Sequence, residues 1–154
     1  MTTQQKVSWQ RLAQQAEGLL SVSSDQISNA ANLAALLYQE LPDVSWAGFY
    51  FLNDKKLMLG PFQGKPACVS IEMGKGVCGT AASTGESLCV ADVDAFDGHI
   101  ACDPQARSEI VVPLFKSGDL LGVLDIDSTS LDRFSQEDEA GLKVLAQVYL
   151  SSIA

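Results

Sequence analysis

Basic residues are scarce in this 154-residue chain: ten lysines and arginines face nineteen aspartates and glutamates, with a single histidine. A net charge of -9 and a pI near 4.4 leave no basic face for a phosphate backbone or an anionic membrane, so neither is expected as a partner. Long apolar runs are also missing. No segment approaches the roughly 20 apolar residues of a membrane span, and the opening MTTQQKVSWQRL lacks the apolar stretch of a signal peptide. The expected location is therefore the cytoplasm. Repeats, low-complexity tracts and linkers are absent, so a single domain over residues 1–154 is expected. That length, with 47% hydrophobic residues, closes a core without disulfide or metal staples.

Cysteine is sparse, and paired cysteines at metal-binding spacing are missing altogether. Of the four, three are spread as Cys68-x9-Cys78-x23-Cys102, and only His99-x2-Cys102 has the close spacing usual in a zinc site. A Cys68, Cys78, His99, Cys102 zinc set is therefore set aside, and no metal or cofactor is expected. In a reducing cytosol, a disulfide among these residues is catalytic or sensory rather than a staple. Cys89, inside SLCVADV, reads as core packing.

What is present begins with two helices. One carries Trp9, Leu12, Ala16, Leu19 and Leu20; the next carries Ile27, Ala30, Ala31, Ala34, Leu37, Tyr38 and Leu41. Ser24 or Asp25 caps the second helix and Pro42 stops it. Six short strand-like runs follow: VSWAGFYFL, KKLMLG, ACVSIE, SLCVADV, EIVVPLFK and LLGVLDIDS. Lys116 to Asp119 reads as a hairpin turn, making the last two runs antiparallel neighbours. A final helix starts after Phe134, with Ser135 as N-cap, Asp138 in the capping-box position, and Leu142, Leu145, Val148 and Tyr149 on its apolar face. The fold class is α+β, a mostly antiparallel sheet of about six strands flanked by helices from both chain ends.

Three groups carry candidate chemistry. Cys78 lies in Gly74-Lys-Gly-Val-Cys-Gly79, a glycine-rich turn into a short helix. Helix amides and Lys75 would lower its pKa, which makes it the nucleophile that local physics favours. The same run matches a dinucleotide fingerprint, but a helix of two turns in an antiparallel context does not make that site. Cys102 sits in the irregular segment from Asp94 to Arg107, where Asp103 opposes a thiolate while His99 and Arg107 favour it. The strand period of two sets Asp125 and Asp127 on one face, and a hairpin brings Glu109 near them. It also groups Trp46, Gly48 and Tyr50, an aromatic wall with a gap above Gly48 suited to a small molecule.

The ordered set Trp46-x3-Tyr50, Cys68, Cys78, Cys102, Glu109 and Asp125-x-Asp127 resembles the free methionine-(R)-sulfoxide reductases, which are stand-alone GAF domains. The resemblance implies reduction of free methionine-(R)-sulfoxide, with Cys102 as nucleophile, Cys68 as resolving partner and Cys78 as an auxiliary thiol. It overrides the local preference for Cys78. Carboxylates including Glu109 and Asp127 would hold the substrate ammonium, and an acid of the same cluster would protonate the sulfoxide oxygen. Crowding three buried carboxyls would force at least one pKa upward. Trp46 would contact the methyl group, with Tyr50 completing the wall. Thioredoxin is the implied reductant, and a homodimer fits the family. The competing readings are a sensory GAF module that binds a metabolite without turnover, and a redox sensor that needs only an oxidant.

Overall fold

Strand periodicity and helix periodicity meet in a six-stranded, fully antiparallel sheet with helices on both faces. The computed structural model describes residues 6–99 and 102–154. The leader reading at Met1 to Gln5 and the loop reading at Ile100 and Ala101 lie outside the described residues. Helices α1 (Trp9–Leu20) and α2 (Gln26–Glu40) precede strands β1 (Trp46–Asn53), β2 (Lys56–Gly64) and β3 (Ser70–Glu72). Helix α3 (Gly76–Thr84), β4 (Leu88–Val90), β5 (Ser108–Lys116), β6 (Asp119–Ser128) and α4 (Gln136–Ser152) complete the chain. The strand order is β3-β2-β1-β6-β5-β4, so β1 and β6 lie at the centre.

The two sheet faces have separate cores. Ala47, Phe49, Ile110, Val112, Leu114, Leu124 and Ile126 point toward α1, α2 and α4 and pack there with Leu33, Leu37, Leu142, Leu145 and Tyr149. Trp46, Tyr50, Val111 and Val123 point the other way, toward Val77, Cys78, Ala81 and Ala82 of α3. Because period two sends neighbouring residues to opposite faces, the run from Trp46 to Leu52 of β1 needs this double cover.

Local signals set most of the boundaries. Ser135 accepts from the Asp138 amide while the Asp138 carboxylate accepts from the Ser135 amide, closing the expected capping box on α4. Asp25, not Ser24, caps α2. Ser117 and Gly118, at φ 53° and 84°, form a two-residue turn that pairs Lys116 with Asp119 and so fixes the β5–β6 register.

The register of α2 departs from expectation. Asn29, Ala30, Leu33, Ala34 and Leu37 are its buried face, whereas Ile27 is 55% exposed and Ala31 and Tyr38 also face outward. Asn29 decides the matter, since its amide donates to the carbonyls of Leu20 and Ser23 and to the Ser152 hydroxyl. A polar residue with three partners can take a core position that pattern reading assigns to apolar side chains. Leu19 also turns outward, at 38% exposure. Strand β2 runs on past Gly60 through Pro61, because Pro61 falls where the β1–β2 register shifts and needs no ladder donor. Cys89 is exposed rather than packed in the core; it lies on the edge strand β4, with its thiol donating to the Phe134 carbonyl at 3.2 Å.

Candidate functional site

Register brings the acidic residues together. Glu109 of β5 pairs with Asp127 of β6, Val111 with Asp125, and on the other side of β6 Asp127 pairs with Trp46 and Asp125 with Gly48. Each of these residues points to the sheet face covered by α3. The result is a cavity with Glu109, Asp125 and Asp127 as its floor and Trp46 and Tyr50 as one wall. The first turn of α3, together with His99, Cys102 and Asp103, also lines it. The empty space around these residues, open solvent included, is about 540 Å³.

The floor is buried and crowded. Glu109 and Asp125 are 8% and 4% exposed, and one carboxylate oxygen on each of Asp125 and Asp127 is buried without a hydrogen-bond partner. Burial and then the Asp127 charge push Asp125 up to about 8. Burial followed by the neighbouring carboxylate charge also raises Glu109 and Asp127 well above the usual carboxylate range. Crowding therefore favours a proton on the floor near neutral pH, at Asp125 among the three, while Asp125 and Asp127 present unpaired oxygen atoms to the cavity. That arrangement can donate a proton and can receive an ammonium group.

Cys78 corrects the local sequence argument. It lies in the first turn of α3, as expected from the glycine-rich run, and Lys75 is the N-cap residue. Yet the thiol is buried, and it donates to Glu109 Oε2 at 3.8 Å. Burial, then the charges of Asp125, Glu109 and Asp127, push it well above an ordinary thiol pKa. Desolvation and three acids outweigh a helix terminus and one exposed lysine, so Cys78 is a protonated thiol rather than a thiolate.

Cys68 and Cys102 are joined in a disulfide with their Cα atoms 5.3 Å apart. Cys68 follows β2 and Cys102 lies in the segment between the short 3-10 turn Val93–Ala95 and β5. The bond removes both sulfurs from the zinc set considered above. Among the described residues, Cys78, Glu109 and Asp125 are the group whose donor atoms converge, all within 4.8 Å of one another.

The expected gap above Gly48 is filled. A Cβ there would stand 2.3 Å from Phe62 Cβ and 2.8 Å from the Trp46 ring, so the missing side chain lets Phe62 and Trp46 close over the strand. Trp46 stacks on Phe62 with centroids 5.2 Å apart and on Tyr50 at 5.9 Å. The indole N–H donates to the Lys65 carbonyl and the Tyr50 hydroxyl to the Cys68 carbonyl, each at 3.1 Å. Phe62 went unrecognised in the sequence because Pro61 hid the extension of β2. Its signal was the glycine opposite it on β1.

The chain is similar to known proteins over most of its length. A GAF domain model matches residues 17–149. The free methionine-R-sulfoxide reductase of Escherichia coli is 53% identical over 127 residues, covering 82% of this chain and 77% of that protein. The structure of fRMsr of Staphylococcus aureus in complex with substrate superposes with a TM-score of 0.94 at 44% identity, covering 99% of this chain and all of that one. The free methionine-R-sulfoxide reductase of Neisseria meningitidis, also in complex with its substrate, gives 0.92 at 39% identity, covering 98% and 94%.

Proposed function

The chain belongs to the GAF domain family and, within it, to the free methionine-R-sulfoxide reductases, and from that premise we propose that it reduces free L-methionine-(R)-sulfoxide to L-methionine through Cys102 and Cys68. The observation that supports the reading is a cavity lined by Cys102, which is bonded to Cys68, and by three buried carboxyls whose pKa values are all raised.

In the reduced enzyme the Cys102 sulfur attacks the sulfoxide sulfur while one acid of the floor protonates the oxygen. The oxygen passes to Cys102 as a sulfenic acid, and methionine leaves. The Cys68 thiol then attacks the sulfenic sulfur, forming the disulfide and releasing water. Thioredoxin is the proposed dithiol that restores both thiols, by exchange with the disulfide.

Substrate placement follows from the charges. Glu109, Asp125 and Asp127 receive the ammonium, which draws a carboxylate of the floor into its ionised form and leaves a neighbour protonated as the acid. The opening amides of α3, beside Lys75, face the same cavity and suit the substrate carboxylate. Trp46 supplies an apolar surface for the methyl group, with Tyr50 beside it. Cys78 keeps its proton and donates to Glu109, fixing that carboxyl.

Incubation of the reduced protein with resolved R and S epimers, thioredoxin, thioredoxin reductase and NADPH tests the reading. Turnover of the R epimer alone, lost in Cys102→Ser, is expected. Turnover of neither epimer by folded protein with free thiols would sink the proposal, and full activity in Cys102→Ser would remove the nucleophile.

A further inference from the structure

The two cysteines of the disulfide are held very differently. Cys68 ends the four-residue segment Lys65-Pro66-Ala67-Cys68 between β2 and β3, and the two aromatic residues of β1 grip that segment at both ends. The Trp46 indole donates to the Lys65 carbonyl and the Tyr50 hydroxyl to the Cys68 carbonyl, each at 3.1 Å. Both rings are buried, at 3% and 2% exposure, in a wall that also contains Phe62. The next residue is secured as well, since the Val69 carbonyl accepts from the Leu59 amide at 2.9 Å. Burial raises the Tyr50 pKa, followed by the charge of Asp125, so its hydroxyl keeps the proton that this bond requires.

Among the described residues, no side-chain donor of the sheet bonds to the Cys102 backbone. The Val93 amide donates to the Arg107 carbonyl, and the Arg107 amide to the Ser128 carbonyl of β6. Nearer to Cys102, the Ala106 amide donates to the Asp103 carbonyl and the Gln105 amide to Asp103 Oδ1. One side-chain bond crosses between the two segments, from Lys65 Nζ to Gln105 Oε1.

Resting on the reductase reading above, we propose that Trp46 and Tyr50 are positioning residues for the resolving thiol. By gripping the Lys65 to Cys68 backbone, they hold Cys68 in place for its attack on the Cys102 sulfenic acid. The wall facing the substrate is thus also the mount of the resolving cysteine. Closure is the attack of the Cys68 thiol on the Cys102 sulfenic sulfur: the S–S bond forms, the S–O bond breaks, and the hydroxyl leaves as water with the thiol proton.

Tyr50→Phe isolates the effect, because it keeps the stacked ring and deletes only the donor to the Cys68 carbonyl. Reduced protein is treated in one arm with one equivalent of methionine-(R)-sulfoxide and in the other with hydrogen peroxide. Samples are quenched with dimedone and measured by mass spectrometry for sulfenic acid and disulfide. The expected result in both arms is disulfide closure slowed about tenfold or more, with dimedone-trapped Cys102 accumulating as it does in Cys68→Ser. In the sulfoxide arm, methionine release falls by a smaller factor than closure. Trp46→Phe, which removes the indole donor, gives the same selective delay and decides the question if Tyr50→Phe does not fold. Closure at the wild-type rate in the folded variants overturns the proposal, as does an equal slowing of both steps. Absence of methionine from the wild-type protein would instead remove the reductase reading, leaving the peroxide arm to judge the mount.

Discussion

Asp125 sits where a carboxylate is costly. Its side chain is 4% exposed, one oxygen lacks a partner, and the group is pushed up to about 8 from 3.8 by burial and then by Asp127. Below pH 3.8 the folded and unfolded forms both hold this proton. Between 3.8 and about 8 only the folded form does, so the stability it contributes is lost as pH rises through that window. Glu109 and Asp127 are shifted the same way and add to the slope. Thermal melts of the disulfide form should accordingly show a midpoint that rises as pH falls from 8 to 5, and Asp125→Asn should flatten the rise. A midpoint that falls over that interval in the wild type would show that the floor is ionised. The pair Asp125 and Asp127 was legible from the strand period, and Glu109 from the two-residue turn. The state of Cys78 was not, because Glu109 lies 31 positions away and local sequence displays only Lys75 and the helix start.

Among the elements, α4 depends on β5 for its end. Its last turn has no basic residue, and Lys116 fills the lack: Nζ donates to the carbonyls of Leu150 and Ile153 at 2.8 and 2.9 Å. Removing a charged donor from such carbonyls costs about 1–3 kcal/mol, so Lys116→Met should lower the stability measured by urea unfolding by that amount while activity is kept. Unchanged stability would mean that water replaces the ammonium. The other end of α4 was readable in full, since Ser135 and Asp138 carry their capping chemistry in adjacent sequence. This C-terminal cap was not, because its donor comes from a strand 34 and 37 positions earlier. Helix α2 teaches the same lesson: its buried Asn29 is explained by the carbonyls of Leu20 and Ser23 and by Ser152, which periodicity does not see.

For the molecule as a whole, the oxidised and reduced forms should differ in stability. The Cys68–Cys102 bond closes a sequence separation of 34 residues, which constrains the unfolded chain by about 3–4 kcal/mol. Calorimetry should find the oxidised form melting roughly 10 °C above the reduced form, a difference that Cys68→Ser abolishes. Equal midpoints would place compensating strain in the oxidised fold. The α+β class was legible because six strand runs lie between helices, and the sheet then carries Glu109, Asp125, Asp127, Trp46 and Tyr50 to one cavity. The filled space above Gly48 was hidden, since Phe62 reaches it only through the irregular β1–β2 pairing. On the proposed chemistry, one sulfoxide is consumed for each disulfide formed. Fully reduced protein, mixed with methionine-(R)-sulfoxide and no reductant, should yield one methionine and one Cys68–Cys102 disulfide per chain at matching rates, and nothing with the S epimer. A disulfide that forms with peroxide alone, with no methionine from either epimer, would contradict the account and make the pair a sensor.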